Sequence, residues 1–445
     1  MNRRRLLGGS ATVVGLTIAI FGVGAVAGAT GPGDAPAPVT AQAAAPAEVL
    51  SNATITQSVA AAQERLRQYP NDATTWASLG MLYTQQARLT ADPSYYGKAD
   101  GAFTRSLEAQ PADNAAALTG QATLAAARHD FGRALKLTQQ ADAINAYGAT
   151  NLGVMADALG ELGRYPESFD ALQRMVDLKP GVPSYTRVSY SYELRGDTQG
   201  ATYALTRALE VAQSPADAAF VLQYLGELAF NSGDLPTAGR HFAEGLERDP
   251  DYVPLLAGQA RVKAASGKTE EALQDWQAVT TRLPEPTYLI EYADLLTALG
   301  RTDQARAQYA VVDATIRLFQ SQGADVDLEL ARYDADNGRP QEALKAAGDE
   351  IARRQSIHVQ DAYAWALHSA GRDREALGWA RKAQSLGMEN ALFSYHRGMI
   401  ENALGMKAQA RASLSEALAI NPHFSPLDAP KAQAALKALG GPLPS

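Results

Sequence analysis

Two short segments carry residue types that bind ligands in other proteins. Residues 267–269, Gly-Lys-Thr, match the end of a phosphate-binding loop, but that loop needs a further glycine where this chain has Val262. Residues 334–338, Asp-Ala-Asp-Asn-Gly, resemble the start of a calcium-binding loop, yet the glycine comes one residue early and no glutamate closes the loop. Both segments fall where a sequence repeat places a turn between helices, so we interpret them as turns.

The histidines and the missing motifs argue against an active site. The chain has 6 histidines and no cysteine, and no histidine pair has the spacing and the intervening glutamate of a zinc-protease helix. His368 and His396 fall in the predicted first helices of consecutive repeats and could approach each other across the stack, although isolated polar histidines are the simpler interpretation. Neither a Gly-x-Ser-x-Gly nor a Gly-x-Gly-x-x-Gly motif occurs. We therefore predict no catalytic residue, no metal site and no cofactor.

A repeat of about 34 residues runs through most of the chain. Small residues stand seven positions before each repeat glycine, and alanine stands five positions after seven of the eight. A glycine suits the end of a first helix, where the backbone turns left-handed, and small residues let two antiparallel helices approach. The pattern predicts helix–turn–helix units that bury their apolar faces by stacking. The repeat glycines are Gly163, Gly196, Gly233, Gly267, Gly300, Gly338, Gly371 and Gly405.

This pattern resembles the tetratricopeptide repeat family, over roughly residues 55–425. The resemblance implies an all-α protein, a right-handed α-solenoid of about ten helix–turn–helix repeats with capping helices. It also implies a ligand on the concave surface that the first helices form. The residues of the fullest match to the family signature are Trp76, Leu79, Gly80, Tyr83, Ala99, Phe103 and Pro111.

Three units depart from the regular spacing. In the first, extra residues around positions 91–97 predict a longer turn between its two helices. In the second, His129 stands where the turn glycine is expected. The unit that starts near Asp303 predicts a longer second helix, which continues through Leu318 and Phe319.

The resemblance selects candidate residues for a protein-binding groove, six or ten positions before the turn glycines. These positions are acidic toward the N-terminal half and aromatic toward the C-terminal half. For Trp365, Tyr395 and Met399, packing between repeats is an equally open alternative. Neither series contains the lysine or the asparagine with which some relatives grip a terminal carboxylate. The candidates are Tyr190, Glu227, Arg261, Asp294, Arg332, Trp365, Tyr395 and Met399.

The N-terminal residues predict export across the cytoplasmic membrane. Three arginines at positions 3–5 precede an uncharged, largely apolar run over residues 6–33, and residues 27–29, Ala-Gly-Ala, suit signal cleavage. An uncleaved membrane anchor and a twin-arginine export route remain alternatives. We expect residues 1–33 to be a signal peptide or anchor, 34–54 a Pro/Ala-rich linker, and 55–440 the solenoid.

Charge and composition narrow the function. The net charge of -8 disfavours a nucleic-acid partner, and the 46% of hydrophobic residues suffices for a large helical core. We therefore predict an extracytoplasmic protein-interaction scaffold that binds a protein or peptide in its concave groove and meets the membrane only through its N-terminal segment. A purely structural, membrane-tethered spacer is one alternative, and an enzyme with an unrecognised site is another.

Overall fold

The computed structural model describes residues 52–442, so the predicted signal or anchor segment and nearly all of the linker lie outside that range. Within it, the regular secondary structure is 22 α-helices, and no residue lies in a strand. The helices are α1 (Asn52–Gln68), α2 (Ala73–Thr90), α3 (Tyr95–Ala109), α4 (Ala115–Ala127), α5 (Phe131–Ile144), α6 (Ala149–Glu161), α7 (Tyr165–Leu178), α8 (Val182–Glu193), α9 (Thr198–Glu210), α10 (Pro215–Asn231), α11 (Leu235–Arg248), α12 (Val253–Ala265), α13 (Thr269–Arg282), α14 (Pro286–Ala298), α15 (Thr302–Ser321), α16 (Asp327–Asp336), α17 (Pro340–Arg353), α18 (Ile357–Ser369), α19 (Asp373–Ala383), α20 (Ala391–Ala403), α21 (Lys407–Ile420) and α22 (Asp428–Ala438).

Helices α2 to α21 pair into ten consecutive hairpins, and α1 and α22 are single helices at the two ends. The first helix of a hairpin packs against its own second helix and also against the first helix of the next hairpin. This extra contact draws the first helices together, so they form the inner, concave layer and the second helices form the outer layer. The predicted all-α solenoid of about ten repeats with end helices is confirmed. None of the helices between residues 52 and 442 is both long and apolar enough to cross a membrane.

The turns lie where the repeat predicts them. All eight repeat glycines have positive φ angles, between 71° and 78°. His129 takes the same conformation, with φ 62°, at the turn that lacks a glycine. The segments at 267–269 and 334–338 both overlap helix-to-helix turns, since residues 266–268 connect α12 to α13 and residues 337–339 connect α16 to α17.

Phe242 explains why small residues recur on the first helices. A methyl group added at Gly226 on α10 or at Gly258 on α12 would lie 2.4 Å from the Phe242 ring. The ring is fully buried between these two helices. A larger side chain at either glycine would force the helices apart, so the small residues set the spacing of the stack.

The first hairpin differs from its prediction. The extra residues extend the helices, since α2 continues to Thr90 and α3 already begins at Tyr95. The predicted longer turn is wrong, because only residues 91–94 connect the two helices. The predicted long second helix near Phe319 is confirmed, since α15 has 20 residues.

The solenoid coils back on itself, so residues almost two hundred positions apart touch. We call the interface between these superhelical turns the seam, and it includes four hydrogen bonds between residues more than 190 positions apart. The contacting pairs are 191 to 193 residues apart in three of them, and division by the repeat of about 34 residues gives between five and six repeats per superhelical turn. The contacts are Glu161 Oε2 with Arg354 Nη1 at 2.5 Å, Tyr165 Oη with the Ile357 amide at 2.8 Å, Phe230 O with Asn421 Nδ2 at 2.8 Å, and Arg128 O with the Asp325 amide at 3.0 Å.

Candidate protein-binding surface

Five half-buried side chains line the concave layer over helices α8, α10 and α12, and we call them the concave surface. Tyr190 and Glu193 are three residues apart on α8, and Tyr224 and Glu227 are three apart on α10, so each pair shares one helix face. Arg261 extends the set onto α12. The stacked first helices therefore present tyrosine, carboxylate and guanidinium groups side by side.

Ion pairing and hydrogen bonds hold the centre of this surface in place. Arg261 makes a two-point contact with Glu291 at 2.6 and 2.8 Å, and its guanidinium lies 3.8 Å from Glu227. Gln223 donates to Glu227 at 3.0 Å and accepts from the Tyr252 hydroxyl at 2.9 Å. The side chains are thus fixed before any ligand arrives, which reduces the entropy lost on binding.

Carboxylates are in excess here. Burial, together with the negative charge of Glu227, raises the pKa of Glu193 to about 8. Burial and the charge of Glu329 raise the pKa of Glu285 to about 7. Burial also raises the pKa of Glu227, although Arg261 opposes this shift. These carboxyl groups therefore hold their protons more tightly than ordinary glutamates, and a positively charged group placed beside them would favour their ionised form and pair with it.

Three of the predicted groove residues belong to the concave surface, namely Tyr190, Glu227 and Arg261. The Tyr190 hydroxyl also lies 3.2 Å from Nε2 of His358, so this side chain spans from the surface to the seam. Met399 is half-buried at the edge of the C-terminal core, where it packs against buried apolar residues.

Asp294 and Arg332 lie in the interior. Asp294 is 0% exposed and accepts a hydrogen bond from the Tyr309 hydroxyl at 2.7 Å. Arg332 is 3% exposed, lies 3.5 Å from Asp361 and donates to the His358 carbonyl at 3.3 Å. Asp294 thus joins the two helices of its own hairpin, Arg332 joins α16 to α18 of the next hairpin, and neither side chain presents a surface to a partner.

The aromatic end of the predicted groove is also interior. Trp365 is 8% exposed and donates from its indole nitrogen to Asp336 at 2.8 Å. Tyr395 is 1% exposed, and its ring lies between Trp365 and Phe424 with centroid separations of 5.7 and 5.5 Å. Both rings thus pack between repeats, which is the alternative to a groove position. The accessible part of the concave layer lies toward the N-terminal and central repeats.

His368 and His396, on the consecutive first helices α18 and α20, do come close to one another. The Trp365 ring lies between them, with centroids 4.9 Å from His368 and 4.1 Å from His396. Each histidine bonds a carboxylate through Nδ1, His368 with Asp373 and His396 with Asp361. Both rings therefore contribute to the packing of α18 against α19 and α20.

One carboxylate cluster has the spacing of a metal site. The oxygens of Asp325, Asp327 and Glu350 lie within 4.8 Å of one another. The guanidinium of Arg353 contacts all three carboxylates, at 2.6, 2.6 and 2.5 Å. A cation thus already occupies the centre of this cluster and offsets its charge.

Glu193 and Tyr224 are the surface residues that the sequence analysis missed. Each lies three positions from a residue that the analysis selected, on the same helix face. A search that also considered residues three positions before or after each candidate would have identified both Glu193 and Tyr224. No comparable signal exists for the seam, because its partners are almost two hundred residues apart in the sequence, which is between five and six repeats.

Comparison with known proteins agrees with the helical-hairpin architecture. A family model described as "Tetratricopeptide repeat" matches residues 258–317. No curated protein matches the sequence.

Several solved structures are similar. A tetratricopeptide repeat protein from Parabacteroides merdae is 18% identical, with 58% of this chain and 99% of that chain covered and a TM-score of 0.36. The Cut9–Hcn1 hetero-tetramer of APC/C has 13% identity, coverage of 86% and 93%, and a TM-score of 0.38. The human IFIT1 dimer with m7Gppp-AAAA has 14% identity, coverage of 75% and 77%, and a TM-score of 0.44.

Ten stacked hairpins with left-handed turns at the repeat glycines define an α-solenoid of the kind used as a protein-interaction scaffold. The matched family model covers most of two hairpins, α12–α13 and α14–α15, and the other hairpins repeat the same geometry. The chain therefore folds as a solenoid of tetratricopeptide-type helical hairpins, the repeat that the family model recognises in residues 258–317.

Proposed function

We propose that this protein is an extracytoplasmic scaffold that binds a protein or peptide along its concave surface and performs no catalysis. The observation that carries this proposal is the row of half-buried Tyr190, Tyr224, Glu227 and Arg261 side chains on successive first helices. Tyrosine and arginine dominate the binding energy of many protein interfaces. The excess of carboxylates favours a partner segment that carries positive charge.

Site-specific photo-crosslinking in cells tests the binding surface directly. A photoreactive phenylalanine analogue in place of Tyr224 should form an adduct with the partner. The same analogue in place of Tyr203, which is 68% exposed on the outer helix α9, should not. Equal adducts at both positions, or an adduct only at Tyr203, would place the partner elsewhere on the molecule.

A second comparison separates a binding scaffold from a purely structural spacer. Glu227→Lys reverses a charge on the concave surface and should reduce the adduct that forms at Tyr224. Glu247→Lys makes the same change at an exposed position of the outer helix α11 and should not. A spacer would give no specific adduct with any of these variants.

The extracytoplasmic location rests on the N-terminal sequence, and it has its own test. A reporter that is active only outside the cytoplasm should be active when fused after Asp34. Replacement of Arg3, Arg4 and Arg5 by lysine keeps the charge, so lost export would indicate the twin-arginine route and unchanged export the general route. An inactive reporter fusion would refute the proposed location.

A further inference from the structure

A cavity of about 390 Å³ lies within the seam. One side is formed by the C-terminal ends of α8 and α10, and the other by the connection before α20 and the segment after α21. Near it, Asn421 of one superhelical turn donates to the carbonyl of Phe230 on the other turn. The volume falls in the range of about 300–1,000 Å³ that small-molecule sites occupy. An occupant would contact both turns at once.

The lining combines one kind of charge with an apolar wall. Three glutamates, Glu193, Glu389 and Glu416, border the cavity, and no lysine, arginine or histidine is among its lining residues in the described part of the chain. Asparagine and serine side chains add further hydrogen-bond acceptors. The remaining wall consists largely of Leu228, Met388, Ile420 and Phe424. This lining favours a molecule that has both a cationic group and a hydrocarbon part.

Glu193 gives the cavity its strongest requirement for a cation. It is the half-buried member of the three glutamates, and burial disfavours its ionised form. No ion pair to Glu193 occurs between residues 52 and 442, whereas Glu227 has Arg261 nearby. A ligand cation would supply the missing opposite charge.

The spacing of the glutamates favours an extended organic cation over a metal ion. A metal ion needs several carboxylate oxygens around one point. Among the described residues, only Asp325, Asp327 and Glu350 bring their oxygens within 4.8 Å of one another. The three cavity glutamates are therefore spread too far apart to share one ion. An ammonium group on a flexible alkyl chain meets separated carboxylates and also covers an apolar wall.

We propose that the seam cavity binds an alkylammonium group, which its glutamates recognise by charge and its apolar wall by contact with the methylene chain. Two sources share this chemistry, a free diamine or polyamine and the lysine side chain of another protein. The cavity shares Glu193 with the concave surface, but Glu389 and Glu416 belong to the cavity and not to that surface, so a test at these two residues does not depend on the proposed scaffold function.

Isothermal titration calorimetry of the full chain with cadaverine, a linear diamine, tests the proposal. We expect one bound cadaverine per chain, and binding at least about tenfold weaker in the Glu389→Gln/Glu416→Gln variant, since charge-assisted hydrogen bonds are each worth more than a factor of ten. Both of these glutamates are exposed, so the variant should fold normally. The control variant Asp170→Asn/Glu247→Gln removes the same charge at exposed outer-helix positions and should bind as the unmodified protein does.

The same titration with lysine blocked at its α-amino and carboxyl groups distinguishes the two sources. Binding as tight as that of cadaverine indicates a lysine side chain, and binding of cadaverine alone indicates a free polyamine. Absence of binding with either probe would overturn the proposal. An equal loss of cadaverine binding in the two double variants would also overturn it, because the binding would then reflect the overall negative charge of the protein.

Discussion

Tyr395 and Tyr203 are the same residue type in opposite environments, 1% and 68% exposed. Tyr395→Ala should lower the free energy of unfolding by about 3–5 kcal/mol, because a buried aromatic ring leaves a cavity between repeats. Tyr203→Ala should change it by less than about 0.5 kcal/mol. Urea unfolding followed by circular dichroism measures both. A small effect of Tyr395→Ala on the free energy of unfolding would mean that this ring is accessible and remains a candidate for partner binding.

Glu193 makes the stability depend on pH. Its pKa is about 8 in the folded protein against an ordinary value of 4.5. The folded state therefore holds this proton more tightly than the unfolded state does. The resulting stabilisation is complete below pH 4.5 and is lost as the pH rises through 8.

Glu193→Gln should consequently reduce the fall in the free energy of unfolding between pH 4.5 and 8. Glu247→Gln changes an exposed carboxylate and should leave the pH dependence as it is. Urea unfolding at a series of pH values gives the comparison. Identical pH dependence in the two variants would mean that Glu193 is solvated like an ordinary surface acid.

At the scale of elements, two turn glycines offer a matched test of the seam. Gly163 and Gly267 both have φ 76°, so alanine at either position costs about 1–2 kcal/mol of backbone strain. A methyl group at Gly163 would also lie 2.7 Å from the carbonyl oxygen of Gln355, whereas nothing lies within 4 Å of one at Gly267. Gly163→Ala should therefore destabilise the protein more than Gly267→Ala. Equal shifts in the urea midpoint would indicate that this seam contact is absent in solution.

The hairpins could be predicted from the sequence because their causes are local. Turn glycines such as Gly163 and small residues such as Gly226 act on neighbours within one repeat length, so their spacing defines the helices. The first hairpin was harder, since an insertion near Ala91 can lengthen either a turn or the flanking helices, and spacing alone does not distinguish the two. The groove prediction located a helix face, yet whether Tyr395 on that face is accessible depends on how the adjacent repeat packs.

At the scale of the whole molecule, the seam is the feature that no sequence pattern predicts. Whether the two superhelical turns touch depends on the angle between successive hairpins, and small differences in that angle add up over five repeats. One of its buried contacts is that of Arg354, which directly follows α17 and pairs with Glu161 across the seam and with Glu350 of α17.

Arg354→Met should cost about 3–5 kcal/mol of stability, because it leaves the buried carboxylate of Glu161 without its ion-pair partner and removes one of the two arginines that pair with Glu350. Arg164→Met removes an exposed arginine that pairs with Glu167 and should leave the urea midpoint nearly unchanged. A similar midpoint for both variants would show that the Arg354 contact does not hold the turns together.

Closure of the superhelix is the central structural claim, and a distance across the seam tests it most directly. The chain has no cysteine, so cysteines introduced at Arg164 and Gln355 would be the only sites for spin labels. Both residues are exposed and border the contact at which Gly163 meets the Gln355 backbone. Pulsed electron paramagnetic resonance should give one narrow distance within about 20 Å, the width of two packed helices. A broad distribution centred well beyond that distance would contradict the account, because the solenoid would then be an open superhelix whose turns do not touch.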